Sequence, residues 1–271
     1  MATTSATQGS MLMYGTAYKK ERTGELTKEA LIAGFRAIDT ANYPTAYNEP
    51  LTGDGIQAAI KSSIKREDLF IQTKFPPLWA HDKDKIPFNP DQDMEAQVWE
   101  SIEQSFEHLK VDYIDALLLH APFENENDNI KAWKVFETFV PHRIRRLGVS
   151  NFALPQLVKV YEAATVKPEI VQNHFYKETS FDPGVMASEL IALVAERLNI
   201  EKELAFYLLI LGLGGTQVLC GTTNSVRMGQ NLKAVGDFES NQAVRDKLQP
   251  SIEAFKRMLE KLGQDTEGSK I

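Results

Sequence analysis

Residues 35–49 read FRAIDTANYPTAYNE and join a short apolar segment to a polar loop. The apolar part has the length and composition of a buried β-strand. Asp39 lies at the end of that strand, and the loop behind it carries two phenols, Tyr43 and Tyr47. Taken alone, Asp39 is as compatible with a structural role, as a helix cap or in a turn, as it is with a functional one. Together, the carboxylate and the two phenols predict the start of an active site.

Strand-like and helix-like segments alternate along the whole chain. The clearest helix is predicted over residues 93–110, because Val98, Ile102, Phe106 and Leu109 form one apolar stripe. Further helices are predicted at residues 185–198 and 203–212, and at 250–262 with Pro250 as the first position and Gly263 as the terminator. Short segments apolar on both faces predict parallel strands at residues 11–15, 37–40, 69–74, 113–120, 146–150, 170–175 and 217–221.

This alternating order predicts an α/β fold with a parallel sheet, which is either a closed barrel or a doubly wound sheet. The first strand ends at Gly15 without the glycine-rich fingerprint of a dinucleotide-binding sheet. In a (β/α)8 TIM barrel, the C-terminal ends of all strands converge on one face. The barrel is therefore favoured, because polar residues follow five of the predicted strands: Asp39, Lys74, His120, Ser150 with Asn151, and Gln172.

Composition limits the kind of protein. The 271 residues carry a formal charge of -7, so the chain lacks the basic surface that nucleic acids or anionic membranes require. The single cysteine, Cys220, excludes an internal disulfide framework, and no Cys and His residues have metal-ligand spacing. No secretory signal or membrane span is recognisable. We expect a cytoplasmic protein with a tail at residues 1–10, one barrel domain at 11–262 and a polar tail at 263–271; nothing indicates its oligomeric state.

Four of the converging groups suit proton transfer to a carbonyl oxygen. An ammonium beside a phenol lowers the phenol's pKa, so Lys74 is predicted to tune Tyr47. Asp39 would keep Lys74 charged, and His120 could donate a hydrogen bond to a substrate oxygen. Each group also has an ordinary structural interpretation: Lys74 as a solvated loop residue, His120 as a core histidine, and Tyr47 as a packed ring.

Several motifs in order resemble the aldo-keto reductase family, in particular a fungal-type NADPH-dependent reductase. They are FRAIDTA at 35–41, YNE at 47–49, TKF at 73–75, LLHAP at 118–122, GVSNF at 148–152 and Gln172. The resemblance implies a barrel that reduces small aldehydes or ketones with NADPH, with NADH not excluded, and without metal or flavin. It also implies roles for seven residues: Tyr47 as general acid, Lys74 and Asp39 tuning it, His120 orienting the carbonyl, and Ser150, Asn151 and Gln172 holding the nicotinamide carboxamide.

Residues 218–232, VLCGTTNSVRMGQNL, resemble the family's segment for the adenosine 2'-phosphate. Gly221 stands where many members have a lysine, so the resemblance does not imply a strict preference for NADPH. The segment is also compatible with an ordinary strand-to-helix turn. Four residues match cofactor-binding positions: Thr222, Asn224, Arg227 and Asn231.

The chain departs from the family pattern after Phe175. The family continues with a helix and a strand whose aromatic residue stacks on the nicotinamide, whereas here no strand is recognisable before Gln217. Seven strands instead of eight predict an incomplete barrel, with one helix-strand segment deleted near Asp182 and Pro183. Because an open barrel leaves unpaired edges, a second interpretation is a catalytically impaired barrel that acts as a binding or regulatory protein. A third is a Schiff-base lyase with Lys74 as the amine.

The identity of the acid is also open, because Tyr43 competes with Tyr47. The family has one residue between the catalytic tyrosine and Asn-Glu, whereas Tyr47 directly precedes Asn48. Tyr47 is favoured since it keeps its place beside Asn48 and Glu49. The long loop at residues 76–90, rich in proline and aromatic residues, could wall a substrate pocket or could be a surface loop.

Overall fold

A computed structural model of the protein describes residues 11–173 and 188–268. Its internal contacts divide the chain into two compact units, Met1–Asn173 and His174–Ile271. Within the described residues no helix is both long enough and apolar enough to cross a membrane. Seven strands are present among these residues, as the sequence predicts.

The first unit alternates strands with helices from its first described residues to its last. Three short 3-10 turns, Lys20–Arg22, Arg66–Asp68 and Leu78–Ala80, lie in the connections. The main elements are β1 (Leu12–Gly15), α1 (Thr23–Ala33), β2 (Ala37–Asp39), α2 (Glu49–Lys61), β3 (Phe70–Phe75), α3 (Met94–Leu109), β4 (Ile114–Leu119), α4 (Glu126–Thr138), β5 (Ile144–Ser150), α5 (Leu154–Ala163) and β6 (Ile170–Gln172).

The six strands of this unit form one sheet in chain order, β1 to β6, and every neighbouring pair is parallel. Each crossover between neighbours is a long connection that contains a helix, as parallel pairing requires. The register sets Asp39 opposite Gln72 and Ser150 opposite Gln172. The C-terminal strand ends therefore lie along one edge of the sheet, where the sequence places its polar residues.

The central strands are buried on both faces. Every residue of β2, β3 and β4 is buried. Most are aliphatic or aromatic, as expected of parallel strands covered by helices. β3 is the exception, because Gln72, Thr73 and Lys74 are polar and yet at most 2% exposed. Buried polar groups are costly unless they are hydrogen-bonded, so β3 marks a polar centre inside the core.

Helices α2 and α3 pack closely and hold the loop that carries Tyr47. Asn48 caps α2 by accepting a hydrogen bond from the Leu51 backbone N–H at 3.0 Å. A Cβ added at Gly53 would lie 2.0 Å from the backbone oxygen of His108, at the end of α3. Only glycine permits this approach, and the packing fixes the start of α2 directly behind Tyr47.

The predicted helix at 93–110 is confirmed as α3. The Asp93 carboxylate accepts from the Ala96 N–H at 2.8 Å, and the helix ends at Lys110 in the left-handed conformation, with φ 57°. The apolar stripe predicted from the sequence is buried along its whole length: Val98, Ile102, Phe106 and Leu109.

The second unit contains four helices and one strand in its described residues. The ring of Phe206 packs edge to face against that of the buried Phe255, with centroids 6.0 Å apart. Gly212 lies against the side chain of Ile252, which would have to move if that glycine carried a side chain. The elements are α6 (Glu189–Leu198), α7 (Lys202–Gly212), β7 (Val218–Cys220), α8 (Ser225–Ser240) and α9 (Gln242–Gly268).

The boundaries predicted for the last helix are wrong. Pro250 lies inside α9, and the helix continues past Gly263 to Gly268. Leu248, Ile252 and Phe255 are buried on one continuous stripe, so packing on both sides of the proline offsets the hydrogen bond that it removes. A glycine inside a helix costs about 1 kcal/mol relative to alanine and does not by itself end it.

Some predictions fall outside the described residues. These are the tail at 1–10, the end of the sixth strand at Phe175, the first turn of the helix predicted at 185–198, and the junction at Asp182 and Pro183. The deleted segment therefore stays a prediction. Within the first unit, β6 pairs with β5 and is the end strand of the sheet.

Candidate active site

The centre of the site is a buried ion pair between β2 and β3. The Lys74 ammonium lies 2.6 Å from the Asp39 Oδ1, and both side chains are 0% exposed. Lys74 also donates to the Thr40 carbonyl oxygen at 2.8 Å. A buried ammonium is stable only with such partners, so the pair fixes the position of Lys74 at the sheet edge.

Tyr47 lies against this ammonium. Its ring centroid is 5.0 Å from the Lys74 Nζ. Burial raises the pKa of the Tyr47 phenol, the charge of Lys74 lowers it, and the charge of Asp39 raises it again. The net pKa lies above the ordinary value of a tyrosine. Lys74 thus lowers the pKa of Tyr47, as predicted. The prediction that the resulting pKa lies below the ordinary value of a tyrosine is wrong, because the effect of burial is larger than that of the Lys74 charge.

Lys74 remains an ammonium. Burial lowers its pKa, but the Asp39 carboxylate and then Tyr47 raise the pKa by more, so it lies above the ordinary value of a lysine. A charged lysine stabilises a developing phenolate. It cannot attack a carbonyl as a free amine, so the geometry disfavours the Schiff-base lyase.

His120 packs edge-on against both tyrosines. Its ring centroid is 6.0 Å from that of Tyr47 and 5.7 Å from that of Tyr43. The Tyr43 hydroxyl donates to the Ala80 carbonyl oxygen at 3.0 Å, so it is committed to the loop after β3. The structure therefore brings all four predicted catalytic residues together, and it separates Tyr47, which faces Lys74, from its rival Tyr43.

The three residues predicted to hold the nicotinamide carboxamide lie at the ends of β5 and β6. Asn151 has a left-handed backbone, φ 59°, and its Nδ2 donates to the His120 carbonyl oxygen at 2.8 Å and to the Ser150 Oγ at 3.2 Å. Its backbone N–H donates to the Gln172 carbonyl oxygen at 3.1 Å. Ser150, Asn151 and Gln172 are thus joined to one another and to His120.

Gln72 is a site residue that the sequence reasoning missed. Its Nε2 donates to the Asp39 Oδ1 at 2.7 Å and to the Gln172 Oε1 at 2.6 Å. A signal was present in the sequence, since a glutamine interrupts an otherwise buried strand two residues before Lys74. Residues two apart in a strand face the same side, which places Gln72 beside the ion pair.

Glu49 is a second missed residue. Its side chain is 2% exposed and accepts hydrogen bonds from Thr73 of β3 and from Ser105 of α3, the latter at 3.0 Å. The His108 Nδ1 lies 3.2 Å from the same carboxylate. Glu49 therefore ties the start of α2 to β3 and α3, two residues after Tyr47.

A cavity of about 480 Å³ opens beside the tyrosine loop. Tyr43 and Tyr47 line it together with Pro87, which belongs to the loop predicted to wall a substrate pocket. In the same loop, the Trp79 Nε1 donates to the Pro122 carbonyl oxygen at 3.2 Å, just after His120. The loop thus lies against the strand end that carries the site.

The remaining predicted cofactor residues lie at the β7–α8 turn of the second unit. Asn224 caps α8 by accepting from the backbone N–H groups of Val226 and Arg227 at 2.9 and 3.1 Å. The Thr222 Oγ1 accepts from the Asn224 N–H at 3.2 Å, and the Asn231 Nδ2 lies 3.1 Å from the Cys220 Sγ. The structure therefore gathers Thr222 and Asn224 at the turn and holds Asn231 against β7.

The chemistry of this turn fits a phosphate. The Arg227 side chain is exposed, and it forms no ion pair within the described ranges. The positive end of helix α8 and a free guanidinium both favour an anion. No group of three or more His, Cys, Asp and Glu residues that could hold a metal ion occurs in the part of the chain that the structure describes.

The strand order and the polar strand ends define an α/β barrel protein with a buried ion pair at the strand ends. The model of the aldo/keto reductase family matches residues 6–200, and the chain belongs to this family. The chain is 37% identical over 167 residues to the uncharacterized oxidoreductase YtbE of Bacillus subtilis, covering 60% of this chain and 51% of that protein. The chain thus spans about half the length of the first curated relatives it matches.

A fungal relative covers more of the chain. Glycerol 2-dehydrogenase (NADP(+)) of Hypocrea jecorina is 29% identical over 244 residues, which are 81% of this chain and 68% of that protein. Among solved structures, an aldo/keto reductase from Brucella melitensis matches with a TM-score of 0.68 at 22% identity, covering 89% of this chain and 94% of that one. The fold is accordingly that of an incomplete (β/α)8 barrel, with seven strands among the described residues.

Proposed function

We propose that the protein reduces small aldehydes or ketones to alcohols with NADPH as the hydride donor. The observation that carries the proposal is the buried Asp39–Lys74 pair, 2.6 Å apart, with Tyr47 over the ammonium. Membership of the aldo/keto reductase family supports it, as does the name of the NADP(+)-dependent fungal relative. We expect the reaction to occur in the cytoplasm, where Cys220 stays reduced.

Each residue of the set has a distinct task. Tyr47 gives its proton to the carbonyl oxygen while the carbonyl carbon receives the hydride, which NADPH supplies when it is bound. Its raised pKa keeps the phenol protonated at neutral pH, so the proton is present when it is needed. Lys74 stabilises the phenolate that remains, Asp39 holds Lys74 in place, and His120 orients the carbonyl by a hydrogen bond.

The cofactor residues divide into two groups. Ser150, Asn151 and Gln172 offer a hydroxyl and two amides to the nicotinamide carboxamide. Arg227, at the positive end of α8, offers a guanidinium to the 2'-phosphate. Because Gly221 supplies no ammonium there, NADH remains a possible substitute for NADPH. Thr222, Asn224 and Asn231 complete the proposed phosphate group.

One observation supports a second candidate function. The described residues contain seven strands, one fewer than a complete barrel. A protein with this architecture could bind the nucleotide without reducing a carbonyl substrate, and would then act as a binding or regulatory protein. Measurements of NADPH binding and of carbonyl reduction distinguish the two candidates, because nucleotide binding without turnover supports only the second.

The test is a comparison of Tyr47→Phe with Tyr43→Phe. The full chain is mixed with NADPH and a panel of small aldehydes and ketones, and the loss of reduced-nicotinamide absorbance is followed. Tyr47→Phe removes the acid and should lower kcat by about 10²-fold to 10⁴-fold. Tyr43→Phe should retain the wild-type kcat, because its hydroxyl bonds to the Ala80 carbonyl oxygen. An unchanged rate in Tyr47→Phe contradicts the proposal.

A further inference from the structure

Gln72 connects two parts of the site that have different proposed tasks. It lies in β3, is 2% exposed, and shares a face with Lys74. One amide hydrogen bond of 2.7 Å reaches Asp39, which belongs to the proton-donating group. The other, of 2.6 Å, reaches Gln172, which belongs to the cofactor-holding group. Both hydrogens of a single amide are thereby committed.

On the Asp39 side, Gln72 helps to set the orientation of the carboxylate. Oδ1 receives both the Lys74 ammonium and the Gln72 amide. Oδ2 is buried and has no hydrogen-bond partner among the described residues. Both donors therefore bind the same carboxylate oxygen and fix the orientation of the Asp39 side chain. The partial positive charge of the Gln72 N–H also weakens the electrostatic effect of the Asp39 carboxylate on Tyr47.

On the Gln172 side, Gln72 fixes the direction of an amide. The Gln172 Oε1 accepts from Gln72, so the Gln172 Nε2 is left to donate away from β3. The backbone of Gln172 is held by Asn151, at 3.1 Å. Since the strand is thus fixed, the hydrogen bond from Gln72 restrains the rotation of the Gln172 side chain.

We propose that Gln72 is a positioning residue that couples the binding of the nicotinamide carboxamide at Gln172 to proton delivery from Tyr47. The inference rests on the proposed function. A residue that merely fills the core would affect stability alone, whereas a coupling residue affects cofactor affinity and the pH profile together.

The first test is a double-mutant cycle with Gln72→Met and Gln172→Met. Methionine keeps the length of the side chain and removes both donors. Because the hydrogen bond that orients Gln172 is one of the two that are lost, Gln72→Met should raise the Kd for NADPH by about 3-fold to 10-fold. The double variant should bind NADPH more tightly than the product of the two single effects predicts, since both substitutions break the same bond. Additive effects overturn the proposal.

The second readout is the alkaline limb of the kcat profile for reduction. Loss of the amide dipole beside Asp39 raises the pKa of Tyr47, so the limb should move to higher pH in Gln72→Met. Gln72→Glu adds a negative charge at the same place and should move the limb further. This second variant also keeps the proposal testable if Gln72→Met does not fold. If a variant folds and the alkaline limb of its kcat profile stays at the wild-type pH, the proposed coupling between Gln172 and Tyr47 is contradicted.

Gln97→Met is the matched control. Gln97 is also a buried glutamine, and its Nε2 donates to the carbonyl oxygens of Pro90 and Gln92 at 3.0 and 2.9 Å. Its replacement should lower the Tm without changing the Kd for NADPH or the pH profile. If Gln72→Met behaves in the same way, Gln72 is structural only and the inference fails. Wild-type protein that binds no NADPH would instead reject the proposed function itself.

Discussion

Tyr47 has a raised pKa although it lies next to an ammonium. Burial is the largest influence on the phenol, and the charge of Lys74 opposes it. In the proposed reduction this balance is useful, because the acid is fully protonated at physiological pH. The proton must still leave during the reaction, and Lys74 stabilises the phenolate only at that moment.

Replacing Lys74 by methionine tests this balance. The ammonium lowers the pKa of Tyr47, so its removal should raise that pKa further and move the alkaline limb of kcat to higher pH. The phenol also becomes a weaker acid, so kcat at neutral pH should fall by about 10²-fold or more. The pH profile of carbonyl reduction is the measurement, and a limb at lower pH contradicts the assignment.

This variant leaves Asp39 buried without its partner, which costs about 3–5 kcal/mol. The double variant Lys74→Met/Asp39→Asn removes both charges and avoids that cost. Asp39 raises the pKa of Tyr47 by less than Lys74 lowers it, so the limb should still move upward. Lys131→Met, which breaks an exposed pair with Asp128, should leave the profile unchanged.

Helix α2 determines where the acid lies. Its cap, Asn48, and its first residue, Glu49, follow Tyr47 directly. Glu49 is bonded to β3 through Thr73 and to α3 through Ser105. The helix can bind both elements only because Gly53 allows the α3 backbone to approach.

Gly53→Ala should therefore destabilise the protein. The new methyl group would lie 2.0 Å from the His108 backbone oxygen, which cannot rotate away. We expect a loss of about 1–3 kcal/mol in the free energy of unfolding, measured by denaturant titration. Reduced turnover should accompany it, because a shift of α2 carries Tyr47 with it.

Gly236→Ala is the control. It also lies in a helix, α8, but nothing occupies the space around its added methyl group within 4 Å. Alanine is the better helix former, so this variant should gain about 0.5–1 kcal/mol. Equal effects of the two substitutions would show that α2 and α3 are not in close contact.

Periodicity predicted the elements better than their ends. The stripe of α3 is regular, capped by Asp93, and its predicted bounds agree with the structure within a residue. In α9 the expected start at Pro250 is wrong, because Leu248 before it and Ile252 after it are both buried. Local end signals such as proline and glycine are overridden where tertiary packing continues across them.

Across the whole chain, the proposed cofactor residues come from both compact units. Ser150, Asn151 and Gln172 precede residue 174, and Thr222, Asn224, Arg227 and Asn231 follow it. Each group therefore needs a binding test of its own.

Arg227→Ala should distinguish NADPH from NADH. The guanidinium is exposed at the start of α8 and is the charged group proposed for the 2'-phosphate. Its loss should raise the Kd for NADPH by about 10-fold or more, since hydrogen bonds to charged groups contribute about 1.5–3 kcal/mol. The Kd for NADH, which lacks that phosphate, should not change. Both constants can be measured by quenching of protein fluorescence.

Arg257→Ala removes an exposed arginine of α9 and is the control for net charge. It should leave both dissociation constants at their wild-type values. If Arg227→Ala weakens NADH and NADPH equally, the turn does not recognise the 2'-phosphate. In that case the strand-to-helix turn has only a structural role.

Much of the architecture can be inferred from local sequence. Runs of aliphatic residues predict parallel strands, and apolar stripes at helical spacing predict the helices that pack against them. The polar residues at the strand ends predict where a site forms. Asp39, Lys74 and His120 were predictable for this reason, since the ends of parallel strands converge whatever the details of packing.

Other features depend on distances between residues far apart in the chain. Gln72 bonds to Asp39, 33 residues away, and to Gln172, 100 residues away. Burial of Tyr47, which reverses the expected direction of its pKa shift, arises from the elements packed around it. A sequence pattern records residue type and local spacing, whereas hydrogen-bond partners and desolvation exist only once the strands and helices have assembled. Tertiary structure therefore decided how the predicted residues are connected.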